Sequence, residues 1–166
     1  IKGVLERKFD LIITTGAVSM GKWDFITQVL PDLKMKTHFH KVAIRPGKPI
    51  LLAESENQKT VLFGLPGNPI STAVGAQFFV KVFVESLLKI ETPEKWVPLM
   101  AEVNKPDGLE CFFKARVSFG QNSEVEVLKG QSSYMIHSFV SSNSWVQLPA
   151  QSTCLKAGMK VRVFDF

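Results

Sequence analysis

The chain has 166 residues, of which 45% are hydrophobic and 21% charged. That balance excludes a disordered or low-complexity polymer and suits one domain or two small ones. With 20 Lys and Arg against 15 Asp and Glu, the net charge is +5. This excess favours anionic ligands but is too small and too scattered to argue nucleic acid by itself.

Residues 1–8 carry the mixed pattern of a helix end. Residues 9–15, rich in β-branched and large apolar side chains, predict a central strand of a covered parallel sheet. A loop of small residues follows over 16–21. Trp23, Ile26, Val29 or Leu30, and Leu33 then recur at helical spacing, and Pro31 marks the last turn or a kink. Residues 37–44 read as the next strand, whose alternation sets Lys41, Ala43 and Arg45 on one face. Pro46 keeps Arg45 extended and Pro46-Gly47 turns the chain, so that 48–53 return as a strand before a polar loop over 54–60. A buried strand over 61–63 feeds Gly64-Leu65-Pro66-Gly67-Asn68-Pro69, and the apolar periodicity of 70–90 predicts a long helix. That run alone approaches membrane-crossing length, and Lys81 and Glu85 interrupt it, so no membrane span is expected.

Strands alternating with helices argue an α/β layer. Thr92-Pro93-Glu94 breaks the helix and sets the expected domain boundary, 1–92 against 93–166. Beyond it, short runs at 98–103, 110–119, 124–128, 144–148 and 160–166, parted by Gly, Asn and Ser turns, predict a small all-β barrel or sandwich. Cys111 and Cys154 have neither CxxC spacing nor a nearby histidine pair. They suggest no zinc site and no disulfide scaffold, and suit a reducing, cytoplasmic compartment.

Several stretches carry chemistry. In the turn 64–69, Asn68 is a good N-cap and Pro69 suits the first helical position. A glycine-rich turn that opens a helix gathers free N–H groups and a positive dipole end, which makes an anion site or simply a tight connection. The loop 16–21, with the hydroxyls of Thr15 and Ser19, reads in the same two ways. Lys41, Arg45 and Lys48 cluster beside a turn, either as a solvated strand face or as an oxyanion grip in which arginine adds a bidentate fork. His38 and His40 share a strand face but lack a third ligand, so packed or exposed histidines are expected rather than zinc. Cys111-Phe112-Phe113-Lys114-Ala115-Arg116 hints at a basic, aromatic nucleic-acid surface, although its alternation fits a half-buried strand better.

Three of these stretches together resemble a known family. Thr14-Thr15-Gly16-Ala17-Val18-Ser19-Met20-Gly21-Lys22-Trp23-Asp24, then Lys41-Val42-Ala43-Ile44-Arg45-Pro46-Gly47-Lys48-Pro49, then Leu65-Pro66-Gly67-Asn68-Pro69-Ile70-Ser71 follow the order and spacing of motifs in the MoeA family. These are the molybdopterin molybdenumtransferases, which include the gephyrin E domain. Their patterns are (S/T)(S/T)GGxSxGxxD, KxAxxPGKP and LPGNPxS, and the later chain resembles the family's C-terminal β domain.

The resemblance implies a partial MogA-like three-layer α/β domain followed by a barrel-like β domain. It implies insertion of molybdate into adenylylated molybdopterin with release of AMP, or a non-catalytic, gephyrin-like scaffold that holds the pterin. By motif match, Thr15, Gly16, Ser19, Gly21, Lys41, Arg45, Lys48, Pro66, Gly67, Asn68, Pro69 and Ser71 would bind the substrate. Asp24 would act in catalysis and hold Mg²⁺, which prefers oxygen ligands; read alone, it is a first-turn aspartate on a helix dipole. Gly130-Gln131-Ser132-Ser133-Tyr134-Met135 and Ser138 resemble the family's GxGSxxxxS segment, which makes Ser133 and Ser138 ligand contacts from the second domain.

Two positions depart from the pattern. Arg45 stands where lysine is common, and Ala17 stands where a second glycine is usual. Alanine tolerates positive φ poorly, so either the loop is rearranged or that residue never needs φ > 0. The resemblance further implies a homodimer in the full-length protein and a MogA-like adenylyltransferase as partner. It also implies upstream residues, with a TGxE-type strand and loop not found here, whose lack leaves a sheet edge or apolar face uncovered.

Overall fold

The structure, a computed structural model, describes residues 3, 7, 9–18, 25–57, 59–118, 120 and 123–166. The polypeptide divides into two units: Ile1–Val42 with Gly47–Lys81, and Ala43–Pro46 with Val82–Phe166.

In the first unit, β1 (Leu11–Thr15), β2 (Met35–His40), β4 (Leu51–Ser55) and β5 (Val61–Leu65) form a four-stranded sheet in the order β1-β5-β4-β2. The expected parallel sheet is only partly realised. β1 and β5 run parallel, while β4 is antiparallel to both β5 and β2. The reason is local: the amides of Lys41 and Val42 donate to the carbonyls of Ile50 and Lys48, both at 2.9 Å, so the chain doubles back directly into β4. One face packs Ile12, Leu51, Ala53 and Leu62 with Val18, with Leu30, and with Ile26 of the short helix α1 (Phe25–Val29). Among the described residues β1 has β5 as its single neighbour and ends the sheet, with Ile13 48% exposed on it.

The helix read from the sequence forms as α2 (Pro69–Leu88), with a wider, π-type turn over Ala76–Val80. It is long and apolar enough to cross a membrane, yet Ile70 and Val74 of its first turns are buried within the protein. The helix runs across the division between the two units at Lys81.

The second unit is built from β3 (Ile44–Arg45), β6 (Lys95–Pro98), β7 (Val103–Asn104), β8 (Glu110–Ser118), β9 (Glu124–Val127), β10 (Ser144–Leu148), β11 (Cys154–Leu155) and β12 (Lys160–Asp165), with the one-turn helix α3 (Ile136–Val140). Its main sheet runs β3-β8-β10-β12-β6, and β9 also pairs with β8. A bridge from Leu99 to Val125 brings the end of β6 back to β9, which closes the strands into a barrel-like core around Leu99, Phe113, Val146, Leu148 and Val163.

Three expectations are corrected here. The strand expected at 98–103 is two strands, β6 and β7, on either side of an irregular stretch. Residues 37–44 do not continue as one strand: β2 stops at His40, Lys41 takes φ 72°, and Ile44–Arg45 pairs instead with Glu110–Cys111 of β8. Finally, Cys111 to Ala115 are all buried, so this segment covers both its faces rather than alternating, and its phenylalanines are not an aromatic surface.

Candidate functional site

Strand register decides what the first unit gathers at one end. Thr14 pairs with Gly64, Gly64 with Leu51, and Leu51 with His40. The next residues along each strand therefore leave the sheet at the same end: Thr15 and the loop from Gly16, the turn Pro66–Pro69, and Lys41. This is the carboxyl end of the two parallel strands, the place where open α/β sheets take ligands.

The two loops touch. The Gly16 amide donates to the Leu65 carbonyl at 2.9 Å, and a Cβ built on Gly67 would lie 3.3 Å from the Gly16 Cα. Only a glycine allows that approach without displacement. Beneath them, a Cβ on Gly64 would fall 2.7 Å from Val18 Cγ1, so the missing side chain makes room for Val18 to seal the loop onto the sheet. His40 completes the closure: its Nε2 donates to the Val18 carbonyl at 2.8 Å. Sequence reasoning passed over this role because it depends on a contact between distant strands. His38 turns elsewhere, with its Nε2 2.9 Å from Glu54 Oε2, since a register shift between Thr37 and Phe39 breaks the alternation. The two histidines do not converge.

The helix end differs from the expectation of free amides. Asn68 is the N-cap, as read from the sequence, and its Oδ1 accepts from the amides of Ile70 at 3.1 Å and Ser71 at 3.2 Å. Pro69 has no N–H, and the Thr72 amide already bonds the Asn68 carbonyl at 2.8 Å. The first donors of α2 are thus satisfied internally, and the helix contributes its dipole rather than a row of open amides. Ser71 is buried beneath the turn, whereas Gly67 and Pro69 are exposed.

Ala17 lies exposed on the loop with φ 54°, so the left-handed conformation that the usual glycine would supply is adopted here by alanine. The alternative in which this residue never needs positive φ is ruled out. The Thr14 hydroxyl is buried without a protein partner among the described residues.

Lys41 and Lys48 are both exposed and sit on the paired backbone that leads into β4. Arg45 is exposed too but belongs to the second unit. The common strand face expected for Lys41, Ala43 and Arg45 does not form, because the positive φ at Lys41 ends the alternation. Ser19, Gly21 and Asp24 lie outside the described residues, and so does Trp23. Among the described residues no group of three His, Cys, Asp or Glu side chains could hold a metal ion.

In the second unit, Ser133 is half-buried and Ser138 is buried. The Ser138 hydroxyl is engaged at 2.7 Å by the Gly130 carbonyl and at 2.9 Å by that of Met135, so it braces its own loop.

Residues 2–86 match the family described as a probable molybdopterin binding domain, and residues 97–166 match the MoeA C-terminal region, domain IV. Molybdopterin molybdenumtransferase of Synechococcus elongatus is 43% identical over 153 residues, covering 92% of this chain and 38% of that protein. The protein of the same name from Bacillus subtilis is 32% identical, covering 95% and 37%. The chain thus spans under two fifths of the length of these curated relatives. Among solved structures, a molybdenum cofactor biosynthesis protein from Pyrococcus furiosus superposes with a TM-score of 0.71 at 24% identity, covering 99% of this chain and 53% of that one. The moeA protein of Pyrococcus horikoshii gives 0.71 at 20%, covering 100% and 38%. The fold, the ordered loops at the sheet end and these matches agree: the chain belongs to the MoeA family, of which it carries the molybdopterin-binding and C-terminal regions.

Proposed function

We propose that this chain acts in molybdenum cofactor assembly, as the part of a molybdopterin molybdenumtransferase that holds the anionic end of its substrates. The substrates are adenylylated molybdopterin and molybdate, and the whole protein exchanges adenylate for molybdenum and releases AMP. One observation carries the reading: strand register delivers Gly16–Val18, Pro66–Pro69 and Lys41 to one end of the sheet, where the Val42 amide bonds the Lys48 carbonyl. A loop of small residues with a left-handed turn admits an oxyanion close to backbone. The two lysines neutralise its charge, and the α2 dipole adds to them.

Arg45 and Ser133 serve as contacts from the second unit, the buried Ser138 braces the loop that carries Ser133, and Asp24 with further ligands holds magnesium in the complete protein. The β1 edge, unpaired among the described residues, and the exposed Ile13 support association with a further chain or segment, which fits a homodimer of the longer protein. A MogA-like adenylyltransferase supplies the adenylylated substrate. The 166 residues alone bind pterin weakly and do not turn over, because the anion-holding groups come from one side and the metal ligands are incomplete.

The test is calorimetric titration with molybdopterin. Replacing Lys41 and Lys48 together by alanine is expected to weaken binding by about 2–4 kcal/mol, the scale of lost charged hydrogen bonds. Unchanged affinity overturns the placement of the anion site. A parallel incubation with adenylylated molybdopterin, molybdate and Mg²⁺ follows AMP, and multiple turnover by this chain alone overturns the claim that its site is incomplete.

A further inference from the structure

Lys114 sits in the middle of β8 with 1% of its surface exposed, and among the described residues its ammonium bonds no carboxylate. Its Nζ donates to three main-chain carbonyls: Gly130 at 2.7 Å, Met135 at 3.1 Å and Ser132 at 3.2 Å. An ammonium has three donors, and all three close one short loop. The Lys114 backbone takes part as well. Its amide donates to Gln131 Oε1 at 2.8 Å, and Gln131 Nε2 donates back to the Lys114 carbonyl at 2.9 Å. The Ser138 hydroxyl meets two of the same carbonyls, those of Gly130 and Met135.

Burial pulls the pKa of Lys114 below the usual lysine range. A buried charge is costly unless it is fully hydrogen-bonded, and removing it here would take a donor from three converging carbonyls, leaving those of Gly130 and Met135 to share the single Ser138 hydroxyl proton and that of Ser132 with the Met135 amide alone. A core position would be filled more simply by an apolar side chain, as it is at neighbouring Phe113 and Ala115. The segment so held is otherwise outward: Tyr134 is 76% and Val140 79% exposed.

We propose that Lys114 is the positioning residue of the second unit, its ammonium fixing the Gly130–Met135 loop so that Ser133 is presented in one orientation. The functional half of this statement rests on the reading that the segment contacts the pterin substrate.

Amide hydrogen exchange on the full chain tests it. In Lys114→Met, which keeps the volume and removes the donors, the amides of Met135 and Ile136 are expected to exchange about tenfold faster or more, while β12 stays as protected as before. Unchanged exchange in the loop overturns the proposal. So does acceleration spread evenly through the barrel, because that marks a general packing role. Should Lys114→Met fail to fold, Lys114→Gln decides on the same amides. Its two donors cannot serve three carbonyls, so faster loop exchange is again expected, and unchanged exchange overturns the proposal.

Titration with molybdopterin separates the two halves. Loop exchange that rises together with weaker binding in Lys114→Met, and weaker binding in Ser133→Ala, supports both. Loop exchange that rises while neither variant alters affinity leaves Lys114 as the clamp and overturns the reading of this segment as ligand-facing.

Discussion

Ala17 shows what a single side chain costs at a loop. The left-handed conformation at φ 54° is unfavourable for alanine by about 1–2 kcal/mol, because the Cβ crowds the following carbonyl. Ala17→Gly removes that crowding but adds freedom to the unfolded chain, an opposing effect of about 0.4–1 kcal/mol. The expected outcome is a gain of roughly 0.5–1 kcal/mol in urea unfolding. Any loss of stability would mean that the neighbours Gly16 and Val18 have adapted to the methyl group. The departure from the family's glycine is plain in the sequence, but the backbone conformation is not. The same limit applies to Lys41. Its identity suggested one strand face with Arg45, and only the φ of 72° reveals that the alternation ends there.

At the scale of elements, the start of α2 was legible because its signals are local. Asn68 and Pro69 cap and open the helix within four residues of backbone they themselves bond. Asn68→Ala removes the acceptor shared by the Ile70 and Ser71 amides and is expected to lower stability by about 1 kcal/mol, within the range of 0.5–2 kcal/mol for N-caps. Thermal unfolding measures it. A change below about 0.3 kcal/mol would show that water replaces the cap without loss. The same substitution frees two amides at the candidate anion site, so oxyanion affinity need not fall with stability. Local signals also sufficed for the main barrel strands, whose turns are rich in Gly, Asn and Ser. They failed for β3, since two residues carry no pattern and their partner on β8 is remote in sequence. They failed again for Lys114, whose segment reads as a half-buried alternating strand, because the carbonyls that hold it come from a loop no periodicity announces.

The whole molecule is expected to yield to protease in a definite order. Residues 91–94 are exposed and belong to no helix or strand. The other polar connection, between β4 and β5, is better held: the Ser55 amide donates to the Thr60 carbonyl at 2.9 Å, the Thr60 amide to Ser55 Oγ at 3.0 Å, and the Thr60 hydroxyl to the Phe9 carbonyl at 2.8 Å. A glutamate-specific protease should therefore cut first after Glu91 or Glu94, at the proposed limit between residues 1–92 and 93–166, and only later at Glu54 or Glu56. Mass spectrometry of the first fragments checks this, and an initial cut after Glu54 or Glu56, ahead of any cut after Glu91 or Glu94, would overturn the order and the boundary.

The excursion of Ala43–Pro46 has a consequence for how such a protein is inherited. The chain leaves the first unit after Val42, lays β3 along β8, and rejoins the first unit at Gly47. The second unit is thus not encoded by an uninterrupted stretch of gene. A recombination event that moved only its C-terminal coding sequence into another protein would leave a strand behind and strip one edge of β8 at Glu110 and Cys111.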